Sequence, residues 1–327
     1  MSAANPTFKA SRRRREMREK AHVREVGPRD GIQMVKTILP SARKLAWCRG
    51  AVEAGIREIE VTSFVPAKVI PQFADAEEVA RGALAMPGLR PSVLVPNLKG
   101  AERAFALGVP IVNYVLSASE EHNQANVRRS TEESLQDFAR IAAARDQRPG
   151  ARIGLGAGIA TAFGCTISGA VSEARVVEIA VRLAGMGADE IIVADTVGYG
   201  DPGQVRRLMG AVIAAVRPLP VACHFHDTRG LGLANVTAAL DAGVRAFDAS
   251  LAGLGGCPFA PGATGNIDTE DTVFLLEQLG FDTGADVERL VALRREVESW
   301  LPDERFSGAI ARAGLPKTFR VSASAAA

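Results

Sequence analysis

The chain has 327 residues, of which 47% are hydrophobic and 23% charged, and its formal net charge is +2. This balance gives no reason to expect nucleic acid or a membrane surface as a partner, and no apolar run approaches the ~20 residues of a membrane-spanning helix. The length fits either one large α/β barrel or two ordinary domains.

The four cysteines are far apart and form no CxxC pattern. Structural disulfides are therefore not expected, and a reducing, cytoplasmic compartment fits best. Residues 1–20 form a basic arm with consecutive arginines at 12–15. We expect this arm to be frayed; a transit peptide is the alternative, since the first fifteen residues lack acids. Residues 303–327 are expected to form a C-terminal tail that is partly disordered.

Between residues 21 and 302, β-rich runs alternate with segments of helical periodicity. Strands are predicted at 22–26, 57–62, 91–95, 111–116, 152–159, 190–194, 221–225 and 245–249. Helices are predicted at 40–55, 72–84, 101–107, 130–145, 171–186, 202–216, 233–242, 269–279 and 287–301. The segment 27–31 is predicted to be a turn that no helix accommodates. Eight βα units of this length predict a closed (β/α)8 TIM barrel over 21–302 with extra C-terminal helices, the alternative being an open doubly wound sheet.

Polar side chains are concentrated where the predicted strands end, which is where a barrel of this kind carries its active site. They are Arg29, Asp30, Glu60, Thr62, Ser63, Asn97, Lys99, Ser117, Ser119, Glu120, Asp195, Thr196, His224, His226 and Asp227. A purely structural barrel would more often carry ordinary turn residues at these positions. The pattern indicates a functional rim.

His224 and His226 follow an apolar run at 219–223. Residues i and i+2 of a strand point to the same face, so both imidazoles project together and could form half of a metal site. A pair of hydrogen-bonded core histidines is the alternative. Nitrogen and oxygen donors with little sulfur favour Mg²⁺ or Mn²⁺, although zinc is also compatible with imidazole. Cys257, in the glycine-rich loop after strand eight, is a candidate for proton transfer.

Several segments together resemble one enzyme family. They are EVGPRDG at 25–31, VTSFV at 61–65, VPNLKG at 95–100, CHFHDT at 223–228 and AGLGGCP at 252–258, followed by Gly265 and Asn266. From about residue 23 to 301 the chain resembles the 3-hydroxy-3-methylglutaryl-CoA (HMG-CoA) lyases, a branch of the metal-dependent TIM-barrel lyases and Claisen-type synthases. The glycine-cysteine loop is specific to the lyase branch.

The resemblance implies a set of functional residues. The implied metal ligands are Asp30, His224, His226 and Asn266. The implied catalytic residues are Arg29, which would polarise the acyl oxygen of the cleaved fragment, Cys257, which would shuttle a proton, and the acids Glu60 and Asp195, of which Asp195 is the better candidate for the hydroxyl base. Substrate contacts are expected from Arg29, Gln33, Ser63, Asn97, Lys99 and Thr196. Cys165 also matches a family position.

The implied reaction is divalent-metal-dependent cleavage of HMG-CoA, or a closely related 3-hydroxyacyl-CoA, to acetyl-CoA and acetoacetate, with no organic cofactor. A homo-oligomer, dimeric or tetrameric, is also implied. Met34, Val35 and Arg229 depart from the family pattern near strand ends one and seven, and leave the acyl substrate open. The alternatives are a citramalyl-CoA-type lyase, a Claisen-type synthase that uses acetyl-CoA and a 2-oxoacid, and a non-catalytic barrel.

Overall fold

Eight parallel strands close into one barrel in the order in which they occur along the chain. They are β1 (His22–Glu25), β2 (Glu58–Ser63), β3 (Arg90–Val95), β4 (Ile111–Ser117), β5 (Gly154–Ala160), β6 (Glu190–Asp195), β7 (Val221–Phe225) and β8 (Ala246–Ala249). The ring closes between β1 and β8, where His22 pairs with Ala246 and Glu25 with Ala249. The computed structural model describes residues 18–150, 152–256 and 265–319. The predicted (β/α)8 barrel is confirmed.

Helices cover the outside of the barrel. They are α1 (Ser41–Glu53), α2 (Ala76–Leu84), α3 (Leu98–Leu107), α4 (Glu120–Val127), α5 (Thr131–Asp146), α6 (Glu173–Gly185), α7 (Pro202–Val216), α8 (Gly232–Asp241), α9 (Thr269–Gln278), α10 (Val287–Trp300) and α11 (Ile310–Ala313). Side-chain caps fix where several of them begin. The Ser130 hydroxyl and the Glu133 carboxylate form a capping box at α5, and the Asp201 carboxylate caps α7.

Several segments differ from the sequence-based prediction, among them the helix predicted at 101–107, which begins at Leu98, and α11, which was not predicted. The segment 27–31 is a single π-helical turn, in which Val26 O accepts from the backbone N–H groups of residues 29, 30 and 31. Pro28 fits because it lies in the first turn, where its missing N–H is not needed. The helix predicted from residue 72 begins at Ala76, after a 3-10 turn over Pro71–Phe73. Helix α4 was not predicted, because its sequence EEHNQANV has no apolar stripe.

The C-terminal segment 303–319 packs against the barrel. The Asp271 carboxylate on α9 accepts hydrogen bonds from the backbone N–H groups of Ala309 and Ile310, and the rings of Phe274 and Phe319 lie 5.2 Å apart. The predictions for residues 1–17 of the basic arm and 320–327 of the tail fall outside the described residues. No helix in the described part of the chain is both long and apolar enough to span a membrane.

Candidate active site

Asp30, His224 and His226 converge at the carboxyl end of the barrel. The π-helical turn after β1 carries Asp30, whereas His224 lies near the end of β7 and His226 directly follows that strand. Asp30 Oδ2 lies 3.8 Å from His224 Nε2 and 3.7 Å from His226 Nε2, and the two Nε2 atoms lie 3.2 Å apart. The three side chains form a group that could hold a metal ion. Two strands that are neighbours of β8 thus supply the cluster.

The charge states of Asp30 and His226 suit a divalent ion. Burial, followed by the neighbouring His224, lowers the pKa of His226 to about 4, so its imidazole is neutral at pH 7. Burial raises the pKa of Asp30, but Arg29 and the two histidines outweigh it and hold the carboxylate ionised. A neutral imidazole and an ionised carboxylate are the forms that bind metals.

Asn266 completes the cluster from the loop after β8. Its backbone forms an antiparallel bridge with His226, and its Nδ2 donates to Asp30 Oδ2 at 2.8 Å and to Leu254 O at 3.0 Å. Its Oδ1 is buried and has no hydrogen-bond partner among the described residues. A buried amide oxygen without a donor is costly unless it binds a ligand, so this atom fits a role in holding a cation.

Asp248 on β8 orients His224. Its Oδ2 lies 3.2 Å from His224 Nδ1, and its Oδ1 accepts from Arg24 Nε at 2.7 Å. Burial lowers the pKa of His224, but the bond to Asp248 and the charge of Asp30 raise it above its usual value. A carboxylate bound to Nδ1 directs the Nε2 lone pair toward a metal. Sequence analysis missed Asp248; its position inside the apolar strand Ala246–Ala249 was the available signal.

Arg29 lies between two carboxylates. Its Nε donates to Glu60 on β2 and its Nη1 to Asp30. Asn113 Nδ2 on β4 donates to the other oxygen of Glu60 at 2.8 Å. Burial opposes the charge of Arg29, but Glu60 and Asp30 raise its pKa, so a permanent cation stands beside the histidine cluster.

One cavity of about 160 Å³ joins these groups. Besides Asp30, His224, His226, Arg29, Glu60 and Asp248, its polar lining residues are Gln33, Asn113, His122, Asn126 and Thr196. Its apolar lining comes from β3 to β6 and includes Leu94, Val115 and Ile192. A concave site with an apolar wall and a few convergent charges is the usual form of an enzyme pocket.

The HMGL-like family model matches residues 20–297. The chain belongs to the HMGL-like family. This finding confirms the family expected from the motifs, and with it an enzyme of the lyase kind.

Several proteins that are named HMG-CoA lyases are similar to this HMGL-like chain in sequence or structure. The mitochondrial hydroxymethylglutaryl-CoA lyase of Macaca fascicularis is 43% identical over 267 residues, which cover 82% of this chain and 81% of that protein. The cytoplasmic 3-hydroxy-3-methylglutaryl-CoA lyase of Homo sapiens is 40% identical over 268 residues, covering 82% and 71%. A solved HMG-CoA lyase from Acinetobacter baumannii, in complex with coenzyme A and 3-methylmalate, has a TM-score of 0.86 at 39% identity and covers 92% of this chain and 97% of that one.

The remaining predicted substrate contacts divide into two groups. Gln33 and Thr196 line the cavity of this HMGL-like chain, as does Arg29. Ser63, Asn97 and Lys99 are not among the described residues that line it. The hydroxyl of Ser63 accepts from Val65 N, and Asn97 Oδ1 accepts from Gly100 N as the cap of α3. Those two side chains serve local structure, and Lys99 is exposed on α3.

Asp195 ends β6 at the rim but points into its own turn. Its Oδ1 accepts from Tyr199 N at 2.8 Å and its Oδ2 from Gly200 N at 2.9 Å. Burial raises its pKa. Asp195 is not among the described residues that line the cavity, so the geometry favours a role in holding the loop after β6. A role as the hydroxyl base stays a prediction.

The sequence also singled out Cys257, Cys165 and Arg229. Cys257 falls outside the described residues, although Gly256, next to it, lines the cavity. Cys165 is buried in the loop after β5, where its sulfur accepts from Ile167 N and Ser168 N. Arg229 donates to Val197 O at 3.0 Å and to Gly198 O at 2.9 Å, and stacks on Tyr199.

Met34 and Val35, like Arg229, are not among the described residues that line the cavity. Met34 is 47% exposed, whereas Val35 is buried. The cavity lining therefore gives no direct support to the hypothesis that Met34, Val35 and Arg229 select the substrate. Four polar residues that the sequence did not single out, Asp248, Asn113, His122 and Asn126, do line the cavity.

Proposed function

We propose that the protein is a divalent-metal-dependent carbon–carbon lyase that cleaves HMG-CoA, or a closely related 3-hydroxyacyl-CoA, to a shorter acyl-CoA and an oxoacid, which are acetyl-CoA and acetoacetate in the case of HMG-CoA. The observation that carries this proposal is the convergence of Asp30, His224 and His226 beside the Arg29–Glu60 pair in one cavity. Membership of the HMGL-like family and the names of the relatives support it.

The proposed metal ligands are Asp30, His224, His226 and Asn266. Mg²⁺ or Mn²⁺ held there would act as a Lewis acid toward the substrate hydroxyl and make its proton easier to remove. The ligand atoms are nitrogen and oxygen. The buried Asn266 Oδ1 has no hydrogen-bond donor among the described residues and could bind a cation. Asp248 would keep His224 in the required tautomer.

The cleavage itself is assigned to residues of this chain. Glu60 lines the cavity beside Arg29 and is not one of the proposed metal ligands. We therefore assign Glu60 as the base that removes the proton of the 3-hydroxyl group. The C2–C3 bond then breaks: C3 becomes the ketone carbon of the oxoacid, and the bonding electrons pass to C2 as the acetyl-CoA enolate. The Arg29 guanidinium stabilises that negative charge, and C2 takes up a proton supplied by Cys257.

The substrate is proposed from chemistry and from the relatives' names. HMG-CoA has a hydroxyl group and a terminal carboxylate that suit a site containing a cation and hydrogen-bond donors. The A. baumannii relative was solved with coenzyme A and 3-methylmalate, a branched hydroxydiacid. Because coenzyme A and 3-methylmalate are both bound there, the CoA thioester of a branched malate is an alternative substrate to HMG-CoA.

One assay separates these functions. The purified protein is incubated with HMG-CoA, Mg²⁺ and a thiol reductant, and acetyl-CoA and acetoacetate are quantified. We expect the two products in equal amounts. Parallel reactions contain citramalyl-CoA, 3-methylmalyl-CoA, or acetyl-CoA with 2-oxoacids. Cleavage of another acyl-CoA alone would replace the substrate but keep the lyase class, whereas condensation without cleavage would overturn the proposal in favour of a synthase.

A further inference from the structure

Two polar residues line the cavity on the side of the barrel opposite the metal cluster, and the proposed chemistry leaves them without a role. The cluster comes from the ends of β1 and β7 and the loop after β8, whereas His122 and Asn126 follow β4, half the ring away. The lining contributed by β3 to β6 is otherwise mostly apolar and includes Leu94, Val115 and Ile192. Polar residues placed among apolar ones in a pocket usually fix a polar group of the ligand.

Helix α4 presents both side chains to the cavity. His122 and Asn126 are four residues apart and therefore lie on one face of the helix. The Ser119 hydroxyl caps the helix by accepting from His122 N at 3.1 Å. Asn123 anchors it further, because its Oδ1 accepts from Ser117 N and its Nδ2 donates to Ser134 Oγ, both at 2.8 Å. These hydrogen bonds fix the position of α4 at the rim of the barrel.

The imidazole of His122 is held in one orientation and is buried, with 2% of its surface exposed. Its Nδ1 lies 2.8 Å from Ser117 Oγ, a contact that fixes the ring while its side chain lines the cavity. Burial lowers the pKa of His122, so the ring is neutral in the free protein at pH 7. Asn126, which also lines the cavity, is by contrast exposed.

We propose that His122 and Asn126 are specificity-determining residues that hydrogen-bond the terminal carboxylate of the acyl chain. This inference rests on the proposed function for the identity of the substrate. The carboxylate is the polar group at the end of the HMG moiety remote from the thioester, and it has more acceptor sites than a single contact uses. Neutral donors on the α4 side of the cavity would select a dicarboxylic acyl chain over one that ends in a methyl group.

The test compares HMG-CoA with 3-hydroxy-3-methylbutyryl-CoA, which lacks the carboxylate and would yield acetone and acetyl-CoA. Dissociation constants for both are measured by calorimetry in EDTA, where no turnover is expected, and kcat/KM for both is measured with Mg²⁺. The wild-type protein should bind HMG-CoA at least tenfold more tightly. His122→Phe and Asn126→Leu should each reduce that preference about tenfold, because each removes a hydrogen bond to a charged group. His122→Gln, which keeps a donor, should restore part of it.

Gln124→Leu is the matched control, since Gln124 is exposed on the same helix and is not among the described lining residues. Asn126→Leu also guards against misfolding, because that side chain is exposed. Equal losses of affinity for both thioesters in His122→Phe and Asn126→Leu would overturn the proposed carboxylate contact. If the wild-type protein prefers HMG-CoA in EDTA and the variants do not, yet no HMG-CoA is cleaved with Mg²⁺, the proposed function fails while the carboxylate contact stands.

Discussion

His224 Nδ1 on β7 lies 3.2 Å from Asp248 Oδ2 on β8, and this contact links the metal cluster to a buried ionic network. The other carboxylate oxygen of Asp248 accepts from Arg24, which also pairs with Glu190 on β6. One proposed metal ligand, His224, thus contacts Asp248 directly and is linked through Asp248 to charges on two further strands, β1 and β6.

Asp248→Asn should weaken metal binding. The amide cannot match the carboxylate as an acceptor for His224, so we expect Mn²⁺ affinity to fall about ten- to a hundredfold. Electron paramagnetic resonance titration with Mn²⁺ measures it. Glu190→Gln is the control, since it removes a partner of Arg24 without touching His224. If Asp248→Asn binds Mn²⁺ with wild-type affinity, Asp248 does not orient His224 for metal binding.

Asn113 should affect the rate of cleavage through its hydrogen bond to Glu60. A Cβ added at Gly156 would lie 2.2 Å from Asn113 Oδ1, so Gly156→Ala must displace the amide that donates to Glu60. We expect kcat to fall about tenfold or more, the usual effect of losing a hydrogen bond to a charged group. Asn113→Ala should have a similar effect, and the double variant should be no worse than either single one. Additive losses in the double variant would show that the two residues act independently.

Glu25 should make stability depend on pH. Its Oε1 accepts from the backbone N–H groups of Gly27 and Leu251, its Oε2 accepts from Thr269 Oγ1, and burial raises its pKa from 4.5 to about 7. Between these values the folded protein binds more protons than the unfolded chain, so the free energy of unfolding falls as pH rises.

Glu25→Gln should flatten this dependence, because glutamine does not titrate. The difference between the two pH profiles should approach about 3 kcal/mol across the window. Urea unfolding at pH 5 to 8 measures it, with the exposed Glu102→Gln as control. Parallel profiles for wild type and Glu25→Gln would mean that Glu25 is ionised throughout.

Cys257→Ala tests the proposed proton donor. General acid catalysis typically contributes a hundredfold or more, so kcat should fall by at least that factor. Mn²⁺ affinity should not change, since the thiol is outside the proposed ligand set. A variant that cleaves HMG-CoA at the wild-type rate would exclude the role.

The sequence predicted the barrel and part of the site, for identifiable reasons. The alternation of strands and helices gave the (β/α)8 fold, and the spacing of His224 and His226 placed both imidazoles on one face of β7. Barrel closure then brings Asp30 to them, although it lies almost 200 positions earlier in the chain. These features depend on periodicity and strand order, which a sequence reveals.

The rest depends on side-chain direction and on contacts between distant segments. Asp195 stands at a strand end like Asp30, but two backbone N–H groups of its own turn bind its carboxylate. His122 was missed because α4 has no apolar stripe to predict it. Asp248 and Asn113 lie within strands, and their partners come from neighbouring strands, so sequence position alone did not indicate their contacts.

The central claim is that Asp30, His224 and His226 hold the divalent ion on which cleavage of a 3-hydroxyacyl-CoA depends. The most direct test strips the protein with EDTA and titrates Mn²⁺ back while bound metal and HMG-CoA cleavage are followed together, in wild type and in His226→Ala. We predict no cleavage without metal, recovery that saturates at one ion per chain, and loss of high-affinity binding and of cleavage together in His226→Ala. Full cleavage by the stripped protein, or Mn²⁺ binding by His226→Ala at wild-type affinity, would contradict the account.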